Sequence, residues 1–219
     1  MSDLKIVLLG SSGAGKTCLV QRLVTGTFNQ KEPSTMGASF LQKSYKSRLG
    51  ETFEFAIWDT AGQERFDSLS TFYTRDAGCA IIVYDITSNS SFSDLDRMFP
   101  KLESASQDCF VILVGSKVDI AKEDQKKRKV SFENGLQIAK KYQATFFESS
   151  SKTGENIDEI WEKIGEQFVK TKTKKKKKEI NKENESQDNN IIKIDQPSDN
   201  ESEKKKGKKK RKEDGGGCC

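Results

Sequence analysis

Residues 10–17 read Gly-Ser-Ser-Gly-Ala-Gly-Lys-Thr, between a short apolar run (LKIVLL, 4–9) and a stretch with Leu19, Val20, Leu23 and Val24 at helical spacing. No other feature of the chain narrows its fold as much. The pattern G-x-x-x-x-G-K-[ST], placed between a buried strand and a helix, reads as a phosphate-binding loop. Glycines let backbone N–H groups turn inward around an anion, and the helix N-terminus adds its dipole. Lys16 offers a point charge to the β- and γ-phosphates, and Thr17 offers a hydroxyl to Mg²⁺. Ser12, Gly13, Ala14, Gly15 and Cys18 complete the nucleotide-binding stretch.

The rest of residues 4–169 alternates between strand and helix signals. Residues 39–48 and 52–58 read as strands joined near Gly50. The apolar runs at 79–86 (CAIIVYDI) and 109–114 (CFVILV) suit strands buried on both faces. Residues 145–148 read as a further strand, and helices are expected near 92–104, 132–142 and 156–169. In the last of these, Ile157, Ile160, Trp161, Ile164 and Phe168 form one apolar stripe, read as core packing. Asn156 and Glu159 stand at capping-box spacing before it. This order implies an α/β domain with a mostly parallel sheet, its ligand at the carboxyl ends of the strands.

Two more motifs fall at those ends. Residues 58–65 (WDTAGQER) close an apolar strand. Asp59 can orient a water on Mg²⁺, Gly62 can present its N–H to a γ-phosphate, and Gln63 is placed to orient an attacking water. Phosphoryl transfer asks mainly for such alignment and charge neutralisation. Residues 115–119 (GSKVD) follow the strand CFVILV. A carboxylate at Asp119 can accept from N1 and the exocyclic amine of guanine, and adenine lacks that pair of donors. Asp119 therefore argues for GTP and against a P-loop ATPase or kinase.

Together with ESSSK (148–152), these segments resemble a Ras-superfamily small GTPase. Within that superfamily MGASF (36–40), FAIWDTAGQERF (55–66), FYTRDAG (72–78), IIVYDIT (81–87) and the terminal Cys-Cys are similar to Rab proteins. The phrase MGASFLQK resembles their early-endosomal branch. The resemblance implies the Ras-like P-loop NTPase fold: a six-stranded, mostly parallel sheet with an antiparallel second strand, flanked by five helices. It implies GTP/GDP, Mg²⁺ and slow hydrolysis, with Lys16 and Gln63 as catalytic residues. Thr35 would join Thr17 and Asp59 (through water) around the metal when GTP is bound, and Phe28 would pack across the guanine edge. Lys117, Ser150, Ser151 and Lys152 would complete the base site with Ser116 and Asp119. Loops near 30–40 and 60–76 would be switches read by effectors, an exchange factor and a GTPase-activating protein. No arginine of the first switch matches a built-in finger, so a partner would supply one.

The family's usual Asn-Lys-x-Asp stands here as Ser116-Lys117-Val118-Asp119, and its Ser-Ala-Lys as Ser150-Ser151-Lys152. Serine is shorter than asparagine and is expected to reach neither the base nor the phosphate loop without a water. Each lost hydrogen bond costs about 0.5–1.5 kcal/mol. Both changes point to faster nucleotide release. A fast-exchanging, largely GTP-bound scaffold is therefore the alternative to a switch.

Charge is unevenly distributed. Residues 1–169 carry a net −2, and residues 170–219 a net +7. The tail holds Lys174–Lys178, Lys204–Lys206 and a basic run at 208–212, with few apolar residues. Mean hydropathy of the whole chain is −0.73. Residues 1–170 are thus expected to form the GTPase domain, and 171–219 a disordered polybasic tail. Basic runs suit nucleic acid or an anionic membrane, and the tail lacks aromatics for base stacking. Cys218 and Cys219 favour the membrane: by resemblance both are geranylgeranylated, and two lipid chains make a stable anchor. The same resemblance implies a lipid-shielding chaperone, a cytosolic pool, and residence on the cytoplasmic face of intracellular, endosomal membranes. Cys18, Cys79 and Cys109 read as reduced, buried packing residues. There is no histidine, which excludes Ser-His-Asp and Cys-His nucleophiles and histidine-ligated metals. Neither a signal peptide nor an 18-residue apolar run is evident.

Overall fold

The computed structural model describes residues 2–62 and 72–191. Six strands, β1 (Leu4–Leu9), β2 (Ala38–Lys46), β3 (Thr52–Thr60), β4 (Cys79–Asp85), β5 (Phe110–Ser116) and β6 (Thr145–Glu148), form one sheet. Their order is β2-β3-β1-β4-β5-β6. The β2–β3 pair is antiparallel, with Leu41 opposite Ile57. The remaining pairs are parallel and set Ile6 beside Ile57 and Ile81 beside Ile112. The turn joining β2 to β3 carries Gly50 at φ 87°, as expected from sequence.

Helices cover both faces: α1 (Lys16–Thr25), α2 (Asn89–Ser93), α3 (Leu95–Met98), α4 (Val118–Glu123), α5 (Phe132–Lys141) and α6 (Ile157–Ile191). The period-2 alternation of the central strands sorts their side chains into two cores. Leu4, Ile6 and Leu8 of β1 join Ile81, Val83, Ile112 and Val114 on the face covered by α1 and α6. Val7, Leu9, Ala80, Ile82 and Leu113 turn to the other face, against Leu95, Met98, Phe99 and Ala139. The fold is a Ras-like P-loop GTPase fold, and the β-to-α turns that bear the motifs lie at one end of the sheet.

Three local departures have physical causes. The helix expected over 92–104 is instead α2, α3 and a 3₁₀ turn over Phe99–Ser104. Pro100 lacks the N–H that a continuing α-helix would need and crowds the preceding turn. Asn156 forms no capping box: its φ is 58°, and its amide donates to the Glu148 carbonyl at 2.6 Å. The last helix runs past residue 169 to Ile191, at first through a lysine run that favours helix. Of the cysteines, Cys79 is buried, whereas Cys18 and Cys109 are partly exposed. Among the described residues no helix is long and apolar enough to cross a membrane.

The stripe predicted on the last helix is the docking face of α6. Ile160 and Ile164 are fully buried, and Trp161 and Phe168 nearly so. Trp161 meets the rings of Tyr45 and Phe55 edge-on, and Phe168 meets Phe53 and Phe55. Gly165 makes room for this cluster: a Cβ there would lie 2.0 Å from the Tyr45 ring. Tyr45 is stacked on Phe55 and has nowhere to retreat. Gly165→Ala is therefore expected to destabilise the domain by about 1–3 kcal/mol despite the better helix propensity of alanine, read as a lower urea midpoint at unchanged m-value.

Candidate functional site: a nucleotide cleft at the carboxyl ends of the strands

Gly15 stands at the N-cap of α1 with φ 95°, a left-handed conformation that a side chain would oppose. It turns the chain so that the first N–H groups of α1 face outward from the sheet end, where they lack intrahelical partners. Lys16 folds back over the loop and donates to the carbonyls of Gly10 (2.8 Å) and Ser11 (3.1 Å). Burial pushes its ammonium down to about 8, against the opposing pull of the Asp59 carboxylate. A buried cation of this kind gains from an anion placed beside it. Gly62 comes so close that a Cβ there would sit 2.4 Å from the Ser12 nitrogen and 2.5 Å from Lys16 Nζ. Glycine alone lets the two loops approach this far.

Three oxygens converge beside the start of α1. Thr17 Oγ1 donates to Asp59 Oδ2 at 2.6 Å and lies 2.6 Å from Thr35 Oγ1. Thr35 lies 3.5 Å from the same carboxylate oxygen. Asp59 is completely buried, and its Oδ1 has no hydrogen-bond partner among the described residues. Burial raises its pKa, while the Thr17 hydrogen bond and the Lys16 charge hold it down.

A cleft of about 470 Å³ extends from this point between α1, the 28–35 loop and α4. Ser12, Gly13, Gly15, Lys16, Thr17 and Cys18 line its phosphate-loop end, with Thr35 and Gly62. Phe28, Ser116, Lys117, Asp119, Ser151 and Lys152 line the other end. Ala14, Asp59 and Ser150 are buried behind the walls. Gln63, Cys218 and Cys219 lie outside the described residues.

The far end is held by side-chain bonds. Ser150 Oγ donates to Asp119 Oδ1 at 2.7 Å, fixing the carboxylate. Lys117 occupies the left-handed region, φ 65°, and its ammonium pairs with Asp85 Oδ2 at 2.7 Å. Lys152 pairs with Glu123 at 3.0 Å. Asp85, Glu123, Glu32 and Lys127 were not anticipated as site residues. For Asp85 a signal existed: like Asp59, it is a carboxylate closing an apolar strand. The other three, at the end of α4, in a 3₁₀ turn and in a loop, have side chains that no motif orients.

The expectation for Ser116 needs correction. Its Oγ donates directly to the Ala14 carbonyl at 2.6 Å, and the side chain is buried. The short side chain suffices because the two turns pack closely: a Cβ at Gly15 would lie 3.5 Å from Ser116 Oγ, an ordinary contact distance. Ser116 therefore ties the 115–119 turn to the phosphate loop without a water. Ser116→Ala removes that bond, and release of bound GDP is expected to accelerate about threefold to tenfold, measured with a fluorescent GDP analogue.

Comparison with known proteins agrees with this geometry. Residues 5–170 match the model of the Ras family. The Ras-like GTP-binding protein RYL2 of Yarrowia lipolytica is 40% identical over 166 residues, covering 74% of this chain and 79% of that protein. The Ras-related protein SEC4 of Candida albicans is 38% identical over 159 residues, covering 72% and 73%. The Ras-related protein Rab-18 of Lymnaea stagnalis is 37% identical over 173 residues, covering 78% and 83%. With its phosphate loop, guanine-type turn and Ras-like sheet, the chain belongs to the Ras family, as a small GTPase of the Rab type that hydrolyses GTP.

Proposed function

We propose that this GTPase is a membrane-anchored switch in vesicle traffic that hydrolyses GTP slowly and changes its binding surface as it does so. The convergence of Thr17, Thr35 and Asp59 is the observation that carries this reading, since it joins the phosphate loop, the 30–40 loop and β3 at one point. The donor set suits Mg²⁺: the oxygens are hard, one is a carboxylate, and Asp59 Oδ1 is buried with no partner among the described residues. Thr17 and Thr35 would hold the ion by their hydroxyls and Asp59 through water. When bound, the ion would neutralise charge on the β- and γ-phosphates.

The chain's own groups supply the rest. Lys16, anchored on the Gly10 and Ser11 carbonyls, would set its charge against the β- and γ-phosphates. Gly62 would bring its N–H to the γ-phosphate, and Gln63 would orient the attacking water. Asp119, held by Ser150, would select guanine, with Phe28 and Lys117 against the base and the Ser151 N–H toward its O6. Loss of the γ-phosphate would release Thr35, altering the surfaces near 30–40 and 60–76 that effectors, an exchange factor and a GTPase-activating protein would read.

The direct Ser116–Ala14 bond supports a switch over the fast-exchanging scaffold, because the tie expected to be missing is present. Lipidation at Cys218 and Cys219, aided by the lysine-rich segment, would hold the protein on anionic cytoplasmic membrane surfaces, with a chaperone-bound cytosolic pool. The MGASFLQK segment, by its resemblance, supports an endosomal membrane.

GDP release from the full-length chain tests the nucleotide reading. Release is expected to be slow with millimolar Mg²⁺ and to rise at least tenfold on chelation. Asp59→Ala should abolish that response to Mg²⁺, and fast release of the unaltered chain in saturating Mg²⁺ would favour the scaffold. For the anchor, Cys218→Ser with Cys219→Ser is expected to shift the protein from membrane to cytosol in cell fractionation.

A further inference from the structure

The phosphate loop is held at a second place that no motif predicts. Ser11 Oγ donates to Asp94 Oδ2 at 2.5 Å, across 83 residues of sequence. Asp94 is the junction of α2 and α3: it ends the one and begins the other. Its backbone N–H is tied to the Ser90 carbonyl at 3.1 Å, and its other carboxylate oxygen pairs with Arg97. The segment on either side is pinned to the sheet. Ser91 donates to the Asp85 and Ser88 carbonyls, and Leu95, Met98 and Phe99 are buried. Asp94 is thus a fixed point on a rigid element.

Ser11 is one of the two residues whose carbonyls hold Lys16. Its carbonyl accepts both the Lys16 ammonium at 3.1 Å and the Ala14 N–H at 3.2 Å. If the Ser11 peptide rotates, it moves an acceptor of the lysine and the turn that aims the loop's N–H groups inward. The Ser11 side chain is the handle by which that peptide is held from outside. A hydrogen bond to a carboxylate is stronger than one between neutral groups, and the bond holds the Asp94 carboxyl below the usual range.

We propose that Asp94 is a positioning residue of this GTPase, which fixes the Ser11 peptide and through it sets Lys16 and the phosphate loop for tight nucleotide binding. The inference rests on the nucleotide cleft proposed above. Asp94 is not among the residues that line that cleft: it acts from behind the loop, and its partner there is a serine side chain. The Ser116–Ala14 bond is a second external tie, from the β5 side. The loop is therefore strapped at two separate peptides by two separate elements.

The test uses full-length protein loaded with a fluorescent GDP analogue in excess Mg²⁺. Ser11→Ala and Asp94→Ala are each expected to speed release about threefold to tenfold. The double variant should be no faster than Asp94→Ala alone, since the bond that Ser11→Ala removes is already absent there. Asp94→Asn, which keeps an acceptor for Ser11, should stay within about twofold of the unaltered chain. The ³¹P resonance of the bound β-phosphate should shift in both alanine variants, with far-ultraviolet circular dichroism unchanged. Unaltered release in both alanine variants, or additive effects in the double variant, would overturn the assignment. Lys16→Ala is the control for the cleft itself. If it binds the analogue as well as the unaltered chain, the cleft reading fails and this inference fails with it. If it loses binding while Ser11→Ala and Asp94→Ala release normally, only this inference fails.

Discussion

Everything at the functional end of this molecule depends on holding a loop made of peptide groups. The groups that can meet a phosphate here are backbone N–H donors and one lysine, and the glycines that let them converge contribute no side chains for packing. Such a loop cannot hold itself. β1 delivers it from a strand paired on both sides. α1 leaves it in a direction set by the left-handed Gly15 rather than by a side-chain cap. Two serine hydroxyls brace it, at Ser11 and at Ala14. Lys16 closes the arrangement by bonding back onto the loop's own carbonyls. The parallel sheet and its two cores are the frame that keeps these attachment points at fixed spacing.

Much of the frame was legible in the sequence because its causes are local and repetitive. The runs LKIVLL, CAIIVYDI and CFVILV are almost wholly apolar, as strands buried on both faces must be, and each forms a central strand close to its expected bounds. The Ile157–Phe168 stripe forms the buried face of α6 for the same reason. The 92–104 segment was harder. It reads as one helical stretch, yet Pro100 removes an N–H from the ladder, and the chain continues from Phe99 as a 3₁₀ turn. Asn156 had the right spacing for a cap but takes a left-handed conformation and turns its amide to Glu148, a contact set by the neighbouring strand and invisible in local sequence.

The cleft shows the same division. Motif positions such as Lys16, Thr17, Gly62 and Asp119 line one cleft, a placement legible in the sequence because the chemistry proposed for them calls for fixed residue types at fixed spacing. Residues that hold those groups were not readable. Asp85 and Asp94 meet Lys117 and Ser11 only after the chain has folded, and their partners lie 32 and 83 residues away. Ser116 shows that even a recognised departure can mislead, because side-chain length alone does not set its reach. The close approach of the 115–119 turn to the phosphate loop decides the outcome, because it brings the Ala14 carbonyl within reach of a short hydroxyl.

The placement of that hydroxyl divides two duties among different side chains. Ser116 is spent on the Ala14 carbonyl, and its single proton has no second acceptor to serve. On the proposed reading, recognition of the base would fall to Asp119, with Ser150 behind it, while the braces on the loop would set the lifetime of the complex. Choice of nucleotide and time of residence thus become separable traits. A substitution at Ser116 or Ser11 would then retune how long the nucleotide stays without altering which nucleotide is chosen, so that the clock of such a protein could drift across generations while its alphabet stays fixed.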